Sequence, residues 1–293
     1  ILAAAAFNHP AARIGVYGVT GTNGKTTTTY LIRHLLTGMG CKTSLLGTVN
    51  EEIPGRPPAA SALTTPDILR MNRFFRRSLD AGCGAAVCEV SSHSLDQRRS
   101  WGIRFNTVIF TNLTQDHLDY HKTMGEYFEA KKRLFTEYEY QRAVVNVDDP
   151  FGRRLASQMK KNGRPPVTFG RRAGATVRIL SSASDLRGIR ARMTAFGRRV
   201  SLKMKLIGDY NLSNAAAALG ACGTPSNVIK LARLMSTAPA PPGRMERVDA
   251  GQKFVVLVDY AHTPDALDKL LRACRRIKPR RLICVFGCGG ARD

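Results

Sequence analysis

Paired cysteines are missing from this sequence. Its seven cysteines never form a CxxC unit, Cys83 and Cys88 stand five apart and Cys284 and Cys288 four apart, and no histidine lies at zinc-finger distance. That pattern excludes a disulfide framework and a structural zinc module, and leaves reduced thiols in core or loops as the expectation. Long hydrophobic runs are missing as well. The longest apolar stretches, such as FVVLVDYA from Phe254, are far too short to cross a bilayer, and the opening ILAAAAF has neither a basic n-region nor a cleavage pattern. A soluble, cytoplasmic protein without a membrane partner is therefore expected. Acidic residues are scarce: 22 Asp and Glu face 45 Lys and Arg, a formal charge of +23. Such a charge favours polyanions, phosphorylated substrates or nucleic acid, although arginines scattered over solvated faces would give the same total.

What is present is enough apolar material, 43% of 293 residues, to bury one full domain and part of another. The chain opens at Ile1 and stops at Asp293, directly after the strand-like RLICVFG, where an α/β chain would begin its next helix. It is expected to be a fragment of a longer protein. Strands are predicted at RIGVYGVT (13–20), TSLLGTV, AAVCEV, TVIFTNL and AVVNV, with helical patterns between most of them. That alternation predicts a mostly parallel, doubly wound α/β sheet.

One helix is predicted in LTTPDILRMNRFFRRSLDAGCG, with Thr65 as N-cap, Pro66 at the first helical position and Gly82 past its end; a second is predicted in TMGEYFEAKKRLFTEY. From 166 to 206 short alternating strands with Gly and Arg turns suggest a small antiparallel appendage. A helix returns in GDYNLSNAAAALGAC, and the stretch between Ala221 and Pro241 is read as a short loop. STAPAPPGRMERVDAGQ is the best linker candidate, followed by a strand (KFVVLVDYA), a helix (TPDALDKLLRACRRI) and a strand (RLICVFG). The expected division is a P-loop-containing central domain over 1–243 and the start of a Rossmann-like C-terminal domain over 244–293. Residues 1–12 would be the remnant of a preceding domain or linker.

The chemistry begins at GVTGTNGKTTTTY. A glycine turn between a strand and a helix N-terminus aims unpaired N–H groups and the helix dipole at one point, which makes an anion site. Lys25 adds a cation and Thr26 a hydroxyl that can reach Mg2+. The strict Walker A spacing needs glycine at position 19, where this chain has Val19; its glycines stand at 18, 21 and 24. Hard ligands follow at the ends of further predicted strands. Glu89 ends AAVCEV beside Ser91, Ser92 and His93, and TNLTQDHLDYH brings Asp116, His117, Asp119 and His121. Glu89 and Thr26 with a nucleotide make a sensible Mg2+ site. Asp119 and His121 read more simply as loop side chains.

GVTGTNGKTT, LTTPD, EVSSHSLDQRR, TNLTQDHLDYH, YFEAKKRLF, GDYNLSNAAAA, PGRMERVD, DYAHTPDAL and FGCGGARD occur here in the order found in Mur ligases, which the whole chain resembles. The likeness is greatest to the branch that adds the third residue of the peptidoglycan stem peptide. The resemblance implies that Gly21, Thr22, Asn23, Gly24, Lys25, Thr26 and Thr27 hold ATP phosphates, and that Thr26 and Glu89 meet one Mg2+ while His117 meets a second. It implies that Lys131 is carbamylated and bridges the metals, in a catalytic set of Lys25, Glu89, His117 and Lys131. Positions matching the contacts to a uridine-linked muramoyl dipeptide are Thr64, Thr65, Ser91, Gln97 and Arg99. Asn214 matches the adenine contact, with Arg244 and Asp259 near the nucleotide. Without the resemblance, Asn214 would read as a helix-opening amide, and Arg244 and Lys131 as solvated cations.

The implied activity is ATP-dependent amide bond formation through an acyl phosphate, with diaminopimelate or lysine as the amino-acid substrate, and a monomer is expected. The region that chooses between them is expected beyond Asp293, so this stretch alone is expected to be inactive. Departures from the family pattern are Leu63 before TTPD, where many relatives carry Asn, and Ala291 in place of an acidic residue. Two other readings stay open. A folylpolyglutamate synthetase-like ligase shares the chemistry, but its phosphate turn usually reads GTNGKGS. A non-catalytic, nucleic-acid-associated relative of plastid type, resident in the stroma, would account for the +23 charge.

Overall fold

The computed structural model describes residues 2–61, 63–262 and 264–287. A short helix α1 (Leu2–Ala6) leads to β1 (Gly15–Thr20), α2 (Lys25–Gly38), β2 (Thr43–Leu46) and the small strands β3 (Asn50–Glu52) and β4 (Ala59–Ala60). Then come α3 (Ile68–Asp80), β5 (Ala85–Glu89), α4 (Ser92–Asp96), β6 (Phe105–Phe110), α5 (Leu118–His121), α6 (Met124–Thr136), β7 (Tyr140–Asn146) and α7 (Pro150–Lys161). The strands β8 (Val167–Gly170), β9 (Val177–Asp185), β10 (Gly188–Ala195) and β11 (Arg198–Met204) precede α8 (Asp209–Cys222) and α9 (Val228–Leu234). Past the linker lie β12 (Glu246–Val248), β13 (Val256–Val258) and α10 (Pro264–Arg276).

Eleven strands make one sheet in the order β11-β10-β9-β8-β7-β6-β1-β5-β2-β3-β4. From β2 to β9 every neighbouring pair is parallel, with β1 between β5 and β6. The chain leaves β1 toward β2 on one side and crosses from β5 to β6 on the other, so the order reverses about β1. The carboxyl ends of β1, β5 and β6 therefore open a crevice, the place where open α/β sheets bind ligands. Helices cover both faces, which is why the central strands are apolar on both sides: Val16 joins the core under α3 and α6, and Val19 the core under α2 and α8.

The antiparallel strands expected between 166 and 206 are present as a continuation of this sheet, and the first of them, β8, is still parallel to β7. Three local expectations need correction. The N-cap of α3 is Asp67, whose carboxylate accepts from Arg70 N at 2.9 Å. Thr65 is instead tied to β5, donating to the Glu89 carbonyl at 2.9 Å, so the helix starts two residues later than its TTPD signal suggests. The stretch after Ala221 holds α9, whose Val228, Leu231 and Ala232 pack into the core with β11. Residues 281–287, read as a strand, carry no regular structure: a strand needs a ladder partner, none pairs with them among the described residues, and Val285 is 94% exposed. Ala291 lies outside the described residues.

Candidate functional site

The turn between β1 and α2 has the shape its glycines permit. Gly21 has φ 141 and Gly24 φ 84, backbone states that L side chains avoid. A methyl group at Gly21 would also run into the Thr111 hydroxyl, and one at Gly24 into the Asn214 amide oxygen. The turn is laced to the end of β6: Asn23 N donates to Asn112 Oδ1 at 2.9 Å, Thr22 N to the Asn112 carbonyl at 2.9 Å, and Thr111 Oγ1 to the Asn23 carbonyl at 2.7 Å. Thr27 is buried in the first turn of α2. The open N-terminus of α2 thus faces the crevice with its amides unspent on side-chain caps.

Two lysines converge on this turn. Lys25 Nζ donates to the Gly21 carbonyl at 3.0 Å and the Thr22 carbonyl at 2.9 Å, and Lys131 Nζ donates to the same Gly21 carbonyl at 3.0 Å. Lys131 is 1% exposed because the apolar face of α6, with Tyr127, Phe128, Leu134 and Phe135, carries it inward. Its ammonium lies 4.4 Å from the Tyr127 ring centroid, an aromatic contact that partly offsets lost hydration. Burial, then repulsion from Lys25, pushes the Lys131 pKa well below the usual lysine range, with Asp116 pulling the other way. Burial also lowers Lys25, against the attraction of Glu89 and Asp116. Burial and the repulsion from Lys25 both favour the neutral amine of Lys131 relative to an exposed lysine.

Glu89 ends β5, 1% exposed, and is held by oxygens and one amide. Thr26 Oγ1 donates to its Oε1 at 3.0 Å, Thr48 N to the same oxygen at 2.8 Å, and Thr48 Oγ1 to Oε2 at 3.1 Å. Arg244, arriving from the linker, donates to Thr26 Oγ1 at 3.2 Å and lies over the Tyr260 ring. Asp259 accepts from Met245 N and Ala261 N, both at 2.8 Å, and so braces the segment that carries Arg244.

A histidine group stands beside this. His117, in a left-handed backbone state at φ 56, places its ring 4.8 Å from His93, and His93 also packs on Tyr120 and His121. Burial lowers the pKa of all three histidines, most for His121, which is pulled down to about 4 by burial and by the positive charge of His93 and Lys131. Neutral imidazole is the form that binds metals. The Nε2 of His121 is buried without a hydrogen-bond partner.

Running from Glu89 across the crevice is a polar chain that joins the other expected positions. Thr64 shares a hydrogen bond with Thr48 at 3.0 Å, Ser91 N donates to Thr65 Oγ1 at 3.0 Å, and Arg99 reaches the Thr65 carbonyl at 3.0 Å and Gln97 Oε1 at 2.8 Å. Asn214, inside α8, lies against Gly24 and takes a hydrogen bond from Thr28 at 3.4 Å. The structure thus brings together the phosphate turn, both lysines, Glu89, Arg244 and Asn214, and links Thr64, Thr65, Ser91, Gln97 and Arg99 in a second arm. Thr48, Asn112 and Tyr127 are site residues that sequence reasoning missed. Thr48 sits just past β2 at a strand's carboxyl end, and that position was the available signal.

The residues fit a divalent oxygen-seeking ion. Thr26 and Glu89 offer hard oxygens, His117 a neutral nitrogen, and Lys131 a site for an added carboxylate. Among the described residues no three His, Cys, Asp or Glu side chains converge on one point. An ion here would take most of its shell from phosphates and water, as Mg2+ does.

A strand, glycine turn and open helix N-terminus at the reversal point of a doubly wound sheet define an α/β protein of the form that binds anions at that crevice. The Mur ligase middle domain matches residues 19–222 and the Mur ligase glutamate ligase domain matches residues 243–293. The chain belongs to the Mur ligase family. It is similar to the UDP-N-acetylmuramoyl-L-alanyl-D-glutamate–2,6-diaminopimelate ligase of Thermosynechococcus vestitus, 46% identical over 298 residues that cover 100% of this chain and 59% of that protein. The enzyme of the same name from Aquifex aeolicus is 42% identical over 290 residues, 98% of this chain and 58% of that protein. A solved structure of a ligase with that name superposes with a TM-score of 0.79 at 32% identity, covering 96% of this chain and 57% of that one. Folylpolyglutamate synthase of Mycobacterium tuberculosis superposes at 0.74 with 16% identity, over 94% of this chain and 69% of that one, a likeness of fold. The chain spans under two thirds of the length of the diaminopimelate ligases it matches. No helix among the described residues is long and apolar enough to cross a membrane.

Proposed function

We propose that this chain is the nucleotide-binding part of an ATP-dependent ligase that adds the third amino acid, diaminopimelate, to UDP-N-acetylmuramoyl-L-alanyl-D-glutamate. Lysine is the alternative amino acid. The observation that carries the reading is Lys131: a buried helix lysine sharing the Gly21 carbonyl with Lys25, its pKa held far down. An ammonium there is costly, whereas a neutral amine can attack CO2, form the N–C bond of a carbamate and release a proton, turning a repelled cation into an anion. Names of relatives 46% and 42% identical support the substrate class. The folate reading draws on fold alone.

In this proposal residues 1–243 are the central domain, with 1–12 the remnant of what precedes it, and 244–293 begin the C-terminal domain. The amides of Gly21 to Thr27 and the Lys25 ammonium hold the ATP phosphates, with Asn214 beside the nucleotide. Thr26 and Glu89 would hold one Mg2+, His117 and the Lys131 carbamate a second; when bound, the ions neutralise phosphate charge. Thr64, Thr65, Ser91, Gln97 and Arg99 orient the muramoyl dipeptide. Its carboxylate attacks the γ-phosphorus, ADP leaves, and the acyl phosphate formed is opened by the amino group with loss of phosphate and a proton. The protein's part is positioning and charge neutralisation. Arg244 and the braced Asp259 couple this site to the linker, about which the domains would close.

The test uses the full-length protein. Lys131→Ala should lower phosphate release with UDP-muramoyl dipeptide and diaminopimelate on the order of 10²–10³-fold, the range for losing one preorganised charge contact. Short carboxylic acids should restore part of it, and 13C-labelled bicarbonate should give a carbamate resonance in the wild type that the variant lacks. Full activity of Lys131→Ala, or phosphate release with folate and glutamate instead, would reverse the reading.

A further inference from the structure

The antiparallel extension has two unlike faces. Ile179, Ile189, Ala191, Met193, Val200 and Leu202 point into the core, where α8 and α9 cover them. The opposite face is set by register. Arg178, Thr194 and Arg199 form one rung across β9, β10 and β11; Ser181, Arg192 and Ser201 form the next; Ala183, Arg190 and Lys203 form the third. Five cations thus stand on one face that no helix covers, and Arg190, Arg192, Arg199 and Lys203 are all exposed. The carboxylate that meets them is Asp185, 3.2 Å from Arg190.

This arrangement works weakly against folding. Arg190 and Lys203 are directly opposite across an antiparallel pair, and like charges so placed repel. Along β10 the cations Arg190 and Arg192 recur every second residue, about 6.7 Å apart, and neighbouring strands are about 4.8 Å away. A row of cations repeated at this spacing is complementary in charge to a polyanion, whose phosphates also recur at short regular intervals along each strand.

From this geometry we infer that the outward face of β9, β10 and β11 is a docking surface for the phosphate backbone of a nucleic-acid duplex. The side chains between the cations, Ser181, Thr194 and Ser201, are hydroxyls suited to phosphate and sugar oxygens. The three strands contain no aromatic residue, so they offer neither a stacking platform for unpaired bases nor the aromatic anchors that dominate protein interfaces. Exposed Leu180, at the bulge of β9, adds too little apolar surface to seat a membrane. Recognition here is by backbone charge and carries no sequence preference.

The test is fluorescence anisotropy of a labelled 24-base-pair duplex of arbitrary sequence, titrated with the protein between 50 and 200 mM salt. A micromolar dissociation constant that weakens steeply with salt is expected. Replacing Arg178, Arg192, Arg199 and Lys203 by Gln should weaken binding at least tenfold at 100 mM and lower the salt slope by about 3 to 4. A control that removes the same charge elsewhere, Arg70, Arg73, Arg275 and Arg280 to Gln, should stay within twofold of the wild type. Thermal melts and ATP binding establish that both variants are folded. Equal losses in the two variants, or tighter binding to phosphatidylglycerol vesicles, polyglutamate or single-stranded RNA than to duplex, would overturn the proposal.

Discussion

Positive charge is treated in opposite ways in the middle and at one edge of the same sheet. At the carboxyl ends of β1 and β6, Lys25 and Lys131 are drawn into the protein, share one carbonyl, and have their pKa values lowered by burial. On β9 to β11 the cations are held out in water on a registered lattice. The inner pair is desolvated and mutually repelling, which costs stability. The outer set costs little, because exposed charges are screened, and returns long-range attraction.

The largest expected break in this contrast is Lys25→Ala. In the full-length protein it should lower turnover on the order of 10²–10³-fold, as loss of one phosphate-stabilising group does. The folded chain should melt no lower than the wild type, because a buried cation beside Lys131 has been removed. Phosphate-release kinetics and thermal melts read the two effects separately. A melting point several degrees lower would mean that the lysine holds the turn together instead of awaiting a phosphate.

Next in size is Gly21→Ala. At φ 141 a side chain is strained, and a methyl group there meets the Thr111 hydroxyl that ties the turn to β6. A loss of about 2–3 kcal/mol is expected in urea denaturation, the usual scale of a forced backbone state. Ala at the unstrained and uncrowded Gly125 should change stability by less than about 1 kcal/mol.

How much of this was readable beforehand differs along the chain. The phosphate turn was readable because glycine and lysine at a strand-helix junction have few other uses. The sheet was readable from the alternation of apolar runs with helical periods. The burial of Lys131 was written in its spacing from Tyr127 and Leu134, yet a lysine beside Lys132 and Arg133 looks solvated unless that period is weighed above charge. Thr65 misled because Thr and Asp two apart are both N-cap residues, and tertiary contact with Glu89 chose between them. Thr48 carried only the weak signal of its place at a strand's carboxyl end, since its contact with Glu89 exists only once β2 pairs with β5. The basic face was hidden as scattered arginines, because cross-strand register, including the bulge in β9, is what aligns them.

His121 sharpens the comparison through pH. Its folded pKa is about 4 against an ordinary 6.5, so between those values the unfolded chain takes up a proton that the folded protein refuses. The stability this represents is present above pH 6.5 and is lost as pH falls toward 4. With solvent screening, about 1–2 kcal/mol should disappear between pH 7 and 5, and His121→Asn should lose less over the same interval. Urea titrations at both pH values measure it. A wild type and variant with parallel pH profiles would show that His121 is not held neutral by its burial beside His93 and Lys131.

The smallest effect belongs to the displayed charges. Lys203→Glu turns the Arg190 and Lys203 rung from repulsive to attractive without touching the core, since Lys203 is exposed. A cross-strand pair of this kind is worth about 0.2–1 kcal/mol, so the protein should become about 0.5 kcal/mol more stable at low salt. The gain should shrink above about 0.5 M salt, where screening removes attraction and repulsion alike. Lys131 offers the opposite case: it is shielded by protein on every side, and salt cannot weaken its repulsion by Lys25 in the same way. Chemical denaturation of Lys203→Glu in urea at two salt concentrations distinguishes a displayed charge from a buried one. A gain that persists unchanged at high salt would place Lys203 in a contact tighter than an open sheet face allows.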